Sequence, residues 1–278
     1  MSIAVIGGGT MGQGIAYVFA AAGIDTTVVE PDQDRAAALI DGLVARARTG
    51  VAKGRVEQAV ADGMPGHLQV VGEVKALDEG LELVIESVPE IPALKTEVLT
   101  KAEARSPRLL ATNTSSISVD SLAAGLSRPQ DFLGMHFFNP VWSLPLVEIV
   151  RGAVTSDKAL ATAQQHATTL GKESIVVADV PGFATSRLDN IAAFEAMRML
   201  EEGVATAEDI DRAAVLAYGH PIGPLRLSDV VGLDVRLDIA RLLEAEYGER
   251  YAPPAVLERH VAEGRLGRKT GHGFYDWS

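Results

Sequence analysis

The stretch Ile3-Ala4-Val5-Ile6-Gly7-Gly8-Gly9-Thr10-Met11-Gly12-Gln13-Gly14 decides the fold. Gly7, Gly9 and Gly12 stand at G-x-G-x-x-G spacing after an apolar run, and a helix-forming stretch, 15–22, follows. That order predicts a buried parallel strand, a sharp turn, and a helix whose N-terminus faces a pyrophosphate. Gly7 permits the tight turn. Gly9 lets a phosphate approach the backbone, and Gly12 lets helix and strand pack closely. The free N–H groups of the turn and first helical residues, Thr10 and Met11 among them, form the anion site together with the helix dipole.

Thr26-Thr27-Val28-Val29 reads as a second strand ending at Glu30, about 20 residues beyond the glycines. A carboxylate there accepts hydrogen bonds from both ribose hydroxyls and repels a 2′-phosphate. The expected cofactor is therefore NAD rather than NADP.

Working outward, 278 residues allow one large or two modest domains. With 47% hydrophobic and 22% charged residues the composition is that of an ordinary globular protein. A net charge of −12 argues against nucleic acid as a partner. The absence of cysteine excludes disulfides, thiolate metal sites and a cysteine nucleophile, and no metal is expected. No apolar run reaches the ~18–20 residues of a membrane span. With strand one starting at once, a signal peptide has no room and a cytoplasmic location is expected.

Short apolar runs at 3–6, 26–30, 68–71, 82–86, 109–113, 132–138, 145–150 and 174–178 alternate with helical segments. The pattern predicts an α/β, Rossmann-type, mostly parallel sheet domain over 1–180, followed by a smaller all-α domain over 181–278. A helical excursion, 33–62, carries Arg46, Arg48, Lys53 and Arg55. This cluster fits either a solvated helix face or a basic arm that grips a polyanionic handle. Character changes at Asp179-Val180-Pro181-Gly182, beyond which helices are expected at 183–203, from Thr206 as N-cap, at 224–247 and at 253–263. So small a helical domain, apolar on more than one face, predicts a homodimer through it.

Three polar clusters fall at strand ends, where open α/β sheets place their ligands. They are Asn113-Thr114-Ser115-Ser116, then His136-Phe137-Phe138-Asn139-Pro140, then Glu148 within an apolar run. A histidine at a strand end with a carboxylate nearby suits acid–base chemistry, since a buried glutamate fixes the imidazole tautomer. A satisfied structural histidine is the competing reading of the same residues.

The segments VIGGGTMGQGIA, ATNTSS, HFFNP…PLVEIV, PGF…RL, EEGVATAEDID, GHPIGP and LGRKTGHGFYDW, in this order, resemble the L-3-hydroxyacyl-CoA dehydrogenase family along the whole chain. The likeness is greatest to its short, single-function 3-hydroxybutyryl-CoA dehydrogenases. The resemblance implies NAD-dependent chemistry at the 3-hydroxyl of a short (S)-3-hydroxyacyl-CoA in fatty acid metabolism. It implies His136 as general acid/base, Glu148 as its orienting partner and Ser115 as a hydrogen-bond donor to the reacting oxygen. It further places Glu90, Lys95, Asn113, Ser115 and Lys269 at the cofactor. It places Asn139, Lys53 and Arg46 at the substrate, with the coenzyme A handle on the helical excursion.

Three departures stand out. The family's P-G-F-x-x-N-R-L carries serine, Ser186, where an asparagine helps hold the substrate oxygen. Trp142-Ser143-Leu144-Pro145 replaces the usual Pro-Val-Met-Lys, and Pro145-Leu146-Val147-Glu148 looks more like the sugar-acid and carnitine dehydrogenases. Trp142 either narrows or stacks on the acyl site, or packs in the core. Glu30 replaces the more usual aspartate. Alternatives are the same chemistry on a carrier-protein-bound acyl group or a free hydroxy acid such as gulonate or carnitine. A dinucleotide-binding protein without catalysis is a further one.

Overall fold

The computed structural model describes residues 1–277. By contacts it divides into two compact units, one comprising 1–179 and the other beginning at Val180.

The first unit is one eight-stranded sheet. Its strands are β1 (Ser2–Ile6), β2 (Asp25–Val29), β3 (Leu68–Val71), β4 (Leu83–Glu86), β5 (Leu110–Thr112), β6 (Phe132–Phe137), β7 (Leu146–Arg151) and β8 (Glu173–Ala178). All eight correspond to the apolar runs of the sequence. The spatial order is β3-β2-β1-β4-β5-β6-β7-β8, so the chain reverses direction across the sheet between β1 and β4. Ligand crevices open at such a switch point, beyond the carboxyl ends of the strands.

Residues Ile3 to Ile6, Leu83 to Glu86 and Phe132 to Phe137 are buried without alternation, as expected for strands covered on both faces. Covering them are α1 (Thr10–Ala21), α2 (Gln33–Ala52), α3 (Gln58–Gly63), α4 (Pro92–Glu103), α5 (Val119–Ala123) and α6 (Asp157–Thr169). Ile15, Phe19, Leu39 and Leu43 join the strand residues in one core, each apolar side chain contributing about 1.5–3 kcal/mol on burial.

Six of the seven strand pairings are parallel, and β6 with β7 is antiparallel. The physical reason is the short connection from Phe137 to Leu146, which cannot hold a crossover helix. The helical excursion expected over 33–62 is two helices. Asp32 caps α2 by accepting from the Arg35 N–H, and α2 ends before Gly54, whose φ is +65°.

The second unit is helical: α7 (Thr185–Glu201), α8 (Ala207–Tyr218), α9 (Pro224–Val231), α10 (Leu233–Tyr247) and α11 (Ala255–Ala262). Thr206 does cap α8, accepting from the Asp209 N–H. The single helix expected over 224–247 is broken at Gly232, whose φ of +107° no helix allows. Ala193, Phe194, Met197, Leu225, Leu233, Leu237 and Leu257 form a separate core here.

Candidate functional site

A cavity of about 1150 Å³ opens at the carboxyl ends of the first unit's central strands. It begins at the glycine turn. Gly7 has φ +109°, and a Cβ there would lie 2.6 Å from the Ser87 carbonyl oxygen. A Cβ on Gly12 would lie 1.7 Å from the Gly7 oxygen, so α1 meets β1 at that point. Gly9 differs: its missing Cβ points into open space within the cavity lining, where a phosphate would sit. Helix α1 has no acidic residue in its first turn and no side-chain cap, which leaves its N-terminal N–H groups for an anion. Gly7, Gly9, Thr10 and Met11 all line the cavity, and Gly12 supports it from behind. A dinucleotide fits this cradle.

Glu30, 3% exposed, ends β2 at the next bend of the cavity. It accepts from the Gly8 N–H at 3.2 Å, the Asp32 N–H at 2.9 Å and Arg35 at 2.9 Å. Burial pushes its pKa up, but these hydrogen bonds and the Arg35 charge outweigh it and hold the carboxyl below the usual carboxylate range. It is an ionised acceptor beside the place where an adenosine ribose belongs. Sequence reasoning overlooked Arg35, although a cation five residues after a strand-terminal acid was a readable signal.

The opposite wall rests on a buried ion pair. Glu86, the last residue of β4 and fully buried, accepts from Lys95 at 2.8 and 3.1 Å, from Thr112 Oγ1 at 2.7 Å and from the Val88 N–H at 2.6 Å. Lys95 also pairs with Glu90 at 3.2 Å. Glu90 Oε1 in turn accepts from Thr114 Oγ1, the Ser115 and Ser116 N–H groups and Ser116 Oγ. Burial raises the Glu90 pKa, yet Thr114, the Lys95 charge and Ser116 together hold it below the usual range.

Lys95 stands behind this wall rather than in it. It is 1% exposed, is absent from the cavity lining, and spends its ammonium on Glu86, Glu90 and the Val88 carbonyl. Glu90 lines the cavity itself and clamps the serine loop. Glu86 was missed at the sequence level; its signal is an acid closing an otherwise apolar strand.

Asn113 and Ser115 line the cavity from the β5 end. Asn113 Oδ1 accepts the Phe137 N–H at 2.8 Å, which ties the serine loop to β6 beside His136. His136, 7% exposed, lines the cavity with Phe138 and Asn139. In the antiparallel register of β6 and β7, His136 stands directly opposite Glu148. Its Nδ1 lies 2.9 Å from Glu148 Oε2, and Glu148 is fully buried. The Phe138 ring packs on the imidazole with centroids 4.4 Å apart.

Trp142 is neither in the core nor at this wall. It is 37% exposed, with the Arg46 guanidinium 3.7 Å from its ring and Tyr17 edge-on at 6.1 Å. The short turn from Pro140 holds it outside the cavity lining. Lys53 follows α2 as an exposed cap residue, seven positions and two turns from Arg46 on the same side of the helix.

Ser186 and Lys269 belong to the second unit. Ser186 sits in the first turn of α7, where its carbonyl accepts from Asn190 Nδ2 at 2.7 Å. Asn190 accepts from the buried Arg236 at 3.0 Å. Lys269 pairs with both carboxylate oxygens of Asp234, at 2.6 and 2.5 Å. Among the described residues no cluster of histidines and acids suits a metal ion.

The family model for the NAD binding domain of 3-hydroxyacyl-CoA dehydrogenase matches residues 2–180, and that for its C-terminal domain matches 182–277. The chain belongs to the 3-hydroxyacyl-CoA dehydrogenase family. It is an NAD-dependent oxidoreductase, and the dinucleotide cradle fits that cofactor. It is 42% identical to a 3-hydroxybutyryl-CoA dehydrogenase of Mycobacterium tuberculosis, over 99% of this chain and 98% of that one. A Clostridioides difficile protein of the same name is 36% identical over the full length of both. The crystal structure of (S)-3-hydroxybutyryl-CoA dehydrogenase PaaH1 from Ralstonia eutropha superposes with a TM-score of 0.94 at 35% identity, covering 100% of this chain and 99% of that one.

Proposed function

We propose that this dehydrogenase interconverts a short-chain (S)-3-hydroxyacyl-CoA, with 3-hydroxybutyryl-CoA as its substrate, and the corresponding 3-oxo thioester. The observation that carries the reading is the cross-strand pair of His136 and Glu148 at the cavity wall. Glu148 accepts the Nδ1–H, and Nε2 takes the proton of the 3-hydroxyl. The fully buried carboxylate offsets the charge of the imidazolium so formed. Ser115 Oγ donates to the reacting oxygen, its backbone fixed beforehand by Glu90. Gly7, Gly9, Thr10, Met11 and Glu30 would hold NAD, which when bound supplies the hydride acceptor.

On the substrate side, Arg46 and Lys53 on α2 supply cations for the phosphates of a coenzyme A handle, with Asn139 at the cavity wall. Ser186 keeps one hydroxyl donor where the family motif has an amide.

The test is NAD reduction with 3-hydroxybutyryl-CoA, the carrier-protein thioester, free 3-hydroxybutyrate, gulonate and carnitine. Turnover is expected on the coenzyme A thioester. Inactivity there with turnover on a free acid overturns the reading.

Exposed apolar residues of the helical unit, Leu188, Val230, Val231 and Val235 among them, support a homodimer through that unit. Light scattering on the purified chain should give twice the 29.3 kDa chain mass, and a monomer would refute it. No helix among the described residues is long and apolar enough to cross a membrane.

A further inference from the structure

The segment that leaves the catalytic strand is short, and an unusual lysine holds it. Phe138 and Asn139 line the cavity, the chain turns at Pro140, and Trp142 emerges against α1 and α2. Ser143 N–H and Leu144 N–H both donate to the Pro140 carbonyl, at 3.1 Å each, so the segment closes as a single helical turn. Val141 is 1% exposed and docks on α1 where Gly14 leaves room; a Cβ there would come within 2.7 Å of it.

Such a turn ends in carbonyls with no partners of their own. Lys172 supplies the donor. Its Nζ donates to the Val141 carbonyl at 2.6 Å and to the Leu144 carbonyl at 2.7 Å. The residue is 9% exposed, and burial alone depresses its pKa below the usual lysine range. Among the described residues no carboxylate forms an ion pair with it. A buried ammonium without an anionic partner is a costly arrangement, and here its donors go to this turn. Lys172 is itself fixed at both sides. Its own N–H donates to the Ala167 carbonyl at 3.0 Å, and the Glu173 N–H donates to the Pro145 carbonyl at 2.8 Å.

We propose that Lys172 is a positioning residue for the substrate side of the site. Inserted behind the 140–144 turn, it holds Asn139 at the cavity wall and Trp142 between Tyr17 and Arg46. It thereby keeps Arg46 and the neighbouring face of α2 in place for the substrate handle. This rests on the acyl-CoA reading above. Its consequence is selective: substrate affinity depends on Lys172, whereas the proton transfer at His136 and the glycine cradle do not.

Trp142 and Trp277 are the chain's two tryptophans, so Trp277→Phe leaves Trp142 as the reporter. In that background Lys172→Met keeps the aliphatic stem and removes the donor. It should raise acrylamide quenching of Trp142 about twofold or more and the KM for 3-hydroxybutyryl-CoA about tenfold, with kcat within about threefold and NAD affinity within about twofold. Lys172→Arg, which restores a cationic donor, should bring quenching and KM back to within about threefold of the parent.

Unchanged quenching and KM in Lys172→Met overturn the proposal, as does a loss confined to kcat. If Lys172→Met fails to bind NAD, the arginine variant decides. Parent-like quenching and KM support the proposal, and a raised KM with parent-like quenching overturns it. Quenching and NAD affinity are read without acyl substrate. A wrong substrate reading therefore shows as an inactive parent with these two responses intact.

Discussion

Glu148 illustrates how much one side chain can be asked to do. It lies fully buried on β7, opposite His136, with its Oε2 2.9 Å from the imidazole. A neutral amide in its place can still accept the Nδ1–H but cannot balance an imidazolium. His136→Ala should lower kcat by about 10²–10⁴-fold, the range for removing a positioned acid–base group, and leave NAD affinity unchanged. Glu148→Gln should lower kcat less than the alanine variant does, with no change in NAD affinity. Stopped-flow hydride transfer and NAD titration distinguish the two parameters, and parent-like turnover in His136→Ala would remove the residue from the mechanism. The cofactor side of the site offers a contrast. Glu30 and the glycines act by shape and fixed charge, so their replacement should weaken NAD binding before it touches the chemical step.

Elements were legible where a single local rule governs them, and illegible where a tertiary contact decides. Every strand corresponds to an apolar run, and the run is clearest in β1, β4 and β6, which are buried without alternation. The nucleotide turn was equally plain, since steric exclusion at Gly7 and Gly12 admits only glycine. The break at Gly232 was missed, although a glycine inside a helical pattern is its one visible sign; α9 and α10 meet there at a φ of +107°. The direction of β7 follows from the length of one connection, which is countable, and it converts two distant polar residues into a cross-strand pair. Lys95 and Trp142 show a different limit. Each lies close in sequence to cavity residues, but its partner sits on another element, Glu86 on β4 for Lys95 and Arg46 on α2 for Trp142. Pairing between elements leaves no periodic trace. Lys172 left none either, being one lysine between a helix and an edge strand.

At the scale of the whole molecule, each unit buries a histidine that the chemistry does not use. His166 on α6 is 2% exposed, packs edge-on to Phe19 at 6.1 Å, and its Nδ1 has no hydrogen-bond partner. His260 on α11 is 6% exposed, lies 4.8 Å from the Phe274 ring, and has an unpartnered Nδ1 as well. Burial pushes both below the usual imidazole pKa; the charges of Arg265 and Arg259 add to this at His260, and Glu82 opposes it at His166. The sign follows from proton counts. Above pH ~6.5 both rings are neutral, folded or unfolded, and contribute nothing that depends on pH. As pH falls below that value the unfolded chain takes up protons that the folded chain refuses. Stability is therefore lost progressively down to the depressed folded pKa. Glu30 and Glu90, held below the usual carboxylate range, act in the same direction in a separate, more acidic window. Thermal melts should accordingly show the midpoint falling between pH 7 and pH 5. His166→Phe and His260→Phe, which keep an aromatic ring in place, should each flatten that fall. A change of ~1 kcal/mol moves the midpoint by about 2–4 °C in a chain of this size, so the effect is measurable. Amide exchange should assign the His166 change to the sheet unit and the His260 change to the helical unit. Identical slopes in the parent and the double variant would exonerate both histidines and leave the acid sensitivity to the carboxylates alone.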